Sequence, residues 1–196
     1  MSRVKHRKGS QNTQILAVDT SGFEEGMTFW ATDATVSIKE ARTRLAFAPS
    51  TAHGHLDGPA RLMALETDNF STPQLELLGA LSAHTLAVAD GEQHPVIFTD
   101  FQAAEHLLAS MTGAKKMRPR RARNHEPLPQ LVELIEALGD QVERVRFHWL
   151  PRSSTTSLQY VDRLIRRRDI SVSDEDEHWG MVTFEDVLAA AWKIVA

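Results

Sequence analysis

The chain of 196 residues has no cysteine, which excludes disulfides, thiolate nucleophiles and cysteine-based zinc sites. No run approaches 18 uninterrupted apolar residues, so the sequence offers no transmembrane helix. The basic start, MSRVKHRKGSQNTQ, is followed by no apolar stretch of signal-peptide type, so the expected compartment is the cytoplasm. Internal repeats, low-complexity tracts and downstream Gly-x-Gly phosphate loops are also missing. What remains is ordinary globular material: 42% hydrophobic and 24% charged residues, with 10 Gly and 8 Pro, enough to build a core in a chain of about one domain.

Acids are missing from two stretches. Residues 1–13 carry Arg3, Lys5, Arg7 and Lys8, and residues 113–125 carry Lys115, Lys116, Arg118, Arg120, Arg121 and Arg123. Setting those ten cations aside takes the net charge from −4 to −14. Two positive segments on an acidic body can hold a polyanion near carboxylates, although solvated basic segments look the same in sequence.

Residues 14–20 (QILAVDT) read as a strand buried on both faces, 27–34 (MTFWATDA) as a second strand and 44–48 as a third. Residues 50–70 have no clear assignment. Ser71-Thr72-Pro73 supplies a cap and a first-turn proline for a helix over 73–89. A buried strand over 95–99 follows, then helices over 101–110 and 128–138, a strand over 141–150 and a helix over 158–168. The predicted fold class is mixed α/β. The domain is expected over 14–168, behind a disordered basic tail at 1–13. Residues 169–196 read as an acidic linker and an amphipathic helix that packs back, meets a protein partner or self-associates.

Four acids are not explained by local patterning. Glu76 is the one formally charged residue between Pro73 and Ala89, in line with the small side chains Ala80, Ala83 and Ala87. A carboxylate heading such a close-packing row is costly unless paired or bound to metal. Asp19 and Asp100 each end a buried run, ILAVD and VIFTD, where open α/β sheets form their sites. Asp162 lies in the helix LQYVDRLIRR. Each has a plainer explanation: a turn-forming Asp, a Glu favoured by the helix dipole, an Asp paired with Arg166 at i+4. The four in this order make a stronger pattern than any one.

The ordered set resembles type 1 ribonuclease H and, more widely, the ribonuclease H-like fold. The matching pieces are Asp19-Thr20-Ser21-Gly22, Thr72-Pro73-Gln74-Leu75-Glu76-Leu77, Phe98-Thr99-Asp100, and Trp149-Leu150-Pro151 followed by Leu158-Gln159-Tyr160-Val161-Asp162. The resemblance implies a mixed five-stranded sheet flanked by helices. It further implies that Asp19, Glu76, Asp100 and Asp162 are catalytic and hold two Mg²⁺ or Mn²⁺ ions, with Asp19 bridging them.

The implied activity is hydrolysis of the RNA strand of RNA–DNA hybrids, with the alternative of an inactive or differently specific nucleic-acid-binding or scaffold protein on the same fold. Lys115, Lys116, Arg118, Arg120, Arg121 and Arg123 would grip the nucleic acid, and Ser21, Gly22 and Gln74 would contact 2′-hydroxyls. Many family members carry a His before the last helix. The loop 152–157 has none, so either the chain works without it or a His arrives from elsewhere, with His148 and His178 as candidates that are also readable as core or surface histidines. Actin-like ATPases share an opening like ILAVDTS but need glycine-rich phosphate loops. Proofreading exonucleases expect Glu where Ser21 stands, while integrase-like nucleases differ in substrate.

Overall fold

The computed structural model describes residues 16–37, 42–66, 71–113, 126–152, 154–167 and 179–196. The basic tail 1–13, the segment Lys115–Arg123, the acidic run 174–177 and His178 lie outside the described residues.

The sheet is built from β1 (Met27–Ser37), β2 (Arg42–Ser50), β3 (Ala60–Leu65), β4 (His94–Thr99), β5 (Arg146–Trp149) and β6 (Trp179–Met181). Their order across the sheet is β5-β4-β1-β2-β3-β6. The first three strands form an antiparallel meander, in which Asp33 of β1 faces Ala46 of β2. β4 runs parallel to β1, β5 parallel to β4, and β6 parallel to β3. Helices α1 (Thr72–Ala89), α2 (Ala104–Met111), α3 (Pro129–Leu138), α4 (Thr156–Ile165) and α5 (Phe184–Val195) cover the two faces.

The period of two along β1 sorts its side chains between two cores. Trp30 and Ala34 join the core formed with α1, α3 and α5, while Phe29 and Ala31 join the core beneath α4. Asp33 has the parity of Phe29 and Ala31 and thus belongs to the α4 side. On the other face α1 is apolar nearly all round and is buried from Gln74 to Ala87. A Cβ on its Gly79 would come within 2.9 Å of Thr32 Oγ1, so the helix lies close against β1 because this position has no side chain.

Residues 16–20 form no strand; Leu16 N–H donates to Ser154 O (2.9 Å). The meander therefore begins one strand later than the sequence reading placed it, and its third member is β3, inside the unassigned stretch 50–70. Residues 139–144 are a 3₁₀ turn, leaving β5 only four residues. The sheet has six strands where five were expected, because residues 179–181 add an edge strand. The C-terminal segment packs back. Trp179 is fully buried, α5 opens on a Thr183–Asp186 capping box, and Val187, Ala190 and Ala191 enter the core shared with α1 and α3.

Candidate metal centre

β1, α1, β4 and α4 each bring one acid to a common place. Oxygens of Asp33, Glu76 and Asp100 lie within 4.8 Å of one another, and Asp162 borders Asp33 from α4. Asp33 and Glu76 are buried, at 4% and 7% exposure, while Asp100 is partly open. Asp100 follows directly on β4. Its neighbour Thr99 turns back through Oγ1 to the Phe101 amide (3.1 Å), and its own carbonyl accepts from the indole Nε1 of Trp149 (3.1 Å).

Crowding four anions into a half-dry space shifts their protonation. Burial, and then the nearby Asp33 and Asp100, push Glu76 up to about 9 against a backbone hydrogen bond from Ala34. Asp33 is pushed up to about 7, again by burial first and by Asp100 and Asp162 next. Asp100 is raised by burial against the pull of Arg152. Asp162 goes the other way. Burial raises it, but hydrogen bonds from Arg166 and Arg152 outweigh that and hold it below the usual carboxylate range. Arg166 reaches Asp162 Oδ1 at 2.8 Å through Nη2 and 2.9 Å through Nε, and Arg152 Nη2 reaches the same oxygen at 3.0 Å. The i+4 pairing with Arg166 is thus present alongside the approach to Asp33.

The residues suit a hard divalent cation. Three carboxylates offer oxygen ligands at one point, a donor set for hard rather than soft metals. Glu76 Oε2 is buried with no hydrogen-bond partner, an arrangement that costs free energy unless a cation completes it.

Asp19 is not in this group. It lies in an exposed turn, where its Oδ1 accepts from the Ser21 amide (3.0 Å); hydrogen bonds from Ser21 hold its pKa low. With Ser21, Gly22, Phe23 and His148 it lines an open cleft of about 360 Å³ over Val96 and Arg146. His148 packs edge-on against Phe23, with ring centroids 5.1 Å apart, and faces Asp19 rather than the acid cluster. Gln74 is buried. Its side-chain oxygen accepts from the Leu128 amide, and its nitrogen donates to Glu126 O (3.4 Å), so it ties α1 to the start of α3.

The sequence reading groups Asp19 with Glu76, Asp100 and Asp162; the structure brings Asp33 to them instead. The missed residue is Asp33, and a signal for it existed: Thr32-Asp33 in an apolar strand repeats the Thr99-Asp100 pair of β4.

An antiparallel meander, a helix, then two strands parallel to the first, with acids on β1, α1, the end of β4 and α4, settle the architecture. The fold is ribonuclease H-like. Similar solved structures include the N-terminal RNase H domain of a Mycobacterium tuberculosis protein in a fusion with maltose-binding protein. That domain is 19% identical, with 87% of this chain and 99% of that one covered and a TM-score of 0.48. RNase H1 from the halophilic archaeon Halobacterium salinarum is 12% identical, covering 69% and 93%, with a TM-score of 0.47. LC11-RNase H1 in complex with an RNA/DNA hybrid is 13% identical, covering 70% and 99%, with a TM-score of 0.41. No family model and no curated protein matches the chain. Among the described residues no helix is long and apolar enough to cross a membrane.

Proposed function

We propose that this ribonuclease H-like chain is a divalent-metal-dependent endonuclease that hydrolyses the RNA strand of RNA–DNA hybrids. The observation that carries the reading is the convergence of Asp33, Glu76 and Asp100 oxygens within 4.8 Å of one another, with Glu76 Oε2 buried and unpartnered. Asp33, Glu76 and Asp100 would hold the cation, and Asp162 would border the site from α4. A bound divalent cation supplies Lewis acidity toward the phosphate and a nucleophile at neutral pH.

The protein's own part is electrostatic and positional. Its carboxylates gather at the end of β4 on rigid elements, and the half-exposed Arg152 brings a permanent positive charge beside them. Hydrolysis adds water across the P–O3′ bond and leaves 5′-phosphate and 3′-hydroxyl ends. The basic run Lys115–Arg123 would draw in the nucleic-acid backbone.

The test is incubation of end-labelled RNA–DNA hybrid, duplex RNA and duplex DNA with the protein, in Mg²⁺ or Mn²⁺ and in EDTA. Cleavage of the RNA strand of the hybrid, abolished by EDTA, is expected. Equal cleavage of duplex DNA, or no cleavage with either metal, contradicts the proposal.

A further inference from the structure

The two sides of the acidic cluster are unlike. On one side Asp33, Glu76 and Asp100 converge with an unpartnered buried oxygen on Glu76. On the other a positive charge is already in place: Arg152 Nη2 lies 3.0 Å from Asp162 Oδ1, and its Nε lies 3.8 Å from Asp100 Oδ2. The guanidinium therefore spans Asp100 and Asp162 and fills the side of the cluster that Asp162 borders.

We propose that Arg152 is a built-in occupant of the second cation position, holding the Asp100–Asp162 side closed to a divalent ion until a nucleic-acid phosphate draws the guanidinium away. This rests on the metal site proposed above at Asp33, Glu76 and Asp100.

Three features support the assignment to Arg152 in particular. A guanidinium keeps its charge at any working pH, so the occupant is permanent rather than titrated. Its side chain is 57% exposed and comes from the loop ahead of α4, so it can leave without disturbing a packed element. A phosphodiester offers two non-bridging oxygens to a guanidinium, so one anionic partner can be exchanged for another. Arg166 differs. It sits one turn along α4 from Asp162 and its ion pair is with that residue, so it clamps Asp162 without bridging to Asp100. Binding of nucleic acid and entry of a second ion are thereby coupled: the phosphate removes the competitor, and the vacated carboxylates take the cation.

The test is a Mn²⁺ titration of the full chain without nucleic acid, with free Mn²⁺ followed by electron paramagnetic resonance and folding checked by circular dichroism. The wild-type protein is expected to bind one Mn²⁺ tightly and a second at least tenfold more weakly. Arg152→Gln keeps the first site and tightens the second about tenfold or more. Arg152→Lys, which retains the charge, stays within a few-fold of wild type. Arg166→Gln removes a like charge that pairs with Asp162 without reaching Asp100, and shifts the second site less than threefold.

An unchanged second site in Arg152→Gln, or two equally tight sites in the wild type, overturns the proposal. Equal tightening by Arg152→Gln and Arg166→Gln also overturns it, because bulk charge then explains the effect. Absence of any Mn²⁺ binding to the wild type overturns the metal site itself, a result distinct from the others.

Discussion

Asp33 on β1 and Asp162 on α4 are neighbouring acids whose carboxyls are shifted in opposite directions. Burial raises Asp33 to about 7, while the two arginines keep Asp162 low, so of the two Asp33 is the one that holds a proton near neutral pH. A cation that takes Asp33 as a ligand must displace that proton, and Glu76, raised to about 9, is in the same position. Metal binding is therefore coupled to proton release. Mn²⁺ affinity should rise with pH between about 6 and 9, flattening as the carboxyls lose their protons. Calorimetry in buffers of different ionisation enthalpy measures the protons released. A release near zero at pH 6 contradicts the assignment.

The same shifts set the stability of the metal-free protein. Glu76 has a folded-state pKa above its unfolded value, so the native state holds a proton that the unfolded chain gives up. Stability is then full below about 4.5 and falls as pH rises toward 9. In EDTA, the melting temperature at pH 8.5 should lie below that at pH 5.5. Glu76→Gln should flatten the difference and stabilise the metal-free protein at pH 8.5 by about 1–3 kcal/mol. Denaturant melts at the two pH values measure this, and an equal slope in the variant counts against it.

Trp149 gives an optical handle on the site. Its indole is 46% exposed while its Nε1 donates to the Asp100 carbonyl, so its surroundings change when the Asp100 carboxylate takes a new partner. Mn²⁺ or Mg²⁺ should shift the tryptophan emission, and Trp149→Phe should remove most of that response. The buried Trp30 and Trp179 should stay silent.

How far this was readable in the sequence differs from element to element. The helix α1 and the buried strand β4 announced themselves, one by a Pro-initiated apolar run and the other by five consecutive buried residues. With them came Glu76 and Asp100, and Asp162 came from the pattern of α4. The meander was harder. Its third strand, Ala60–Leu65 (ARLMAL), has no β-branched residue, and the apolar stretch before Asp19 reads more like a strand than it does. That difference shifts the first acid from Asp33 to Asp19. The sixth strand is three residues long, too short to carry a period, and its placement depends on pairing with β3 across more than a hundred residues.

The loop before α4 depends on a glycine. Gly54 has φ +78°, and a Cβ there would lie 2.4 Å from Thr155 Cγ2, while its carbonyl accepts from Ser157 N (3.0 Å) at the start of the helix. Gly54→Ala should cost about 1–3 kcal/mol from backbone strain and the clash. Gly22→Ala, in open space without a positive φ, should stay within about 0.5 kcal/mol. Urea melts of the two variants compare them, and equal losses contradict the argument.

If Asp33 rather than Asp19 serves the proposed metal site, cleavage of an RNA–DNA hybrid by the two isosteric variants separates them. With saturating Mn²⁺, Asp33→Asn should lose on the order of 10²–10³-fold or more in rate with its fold intact, while Asp19→Asn stays within about twofold of wild type. An active Asp33→Asn beside an inactive Asp19→Asn would contradict the account.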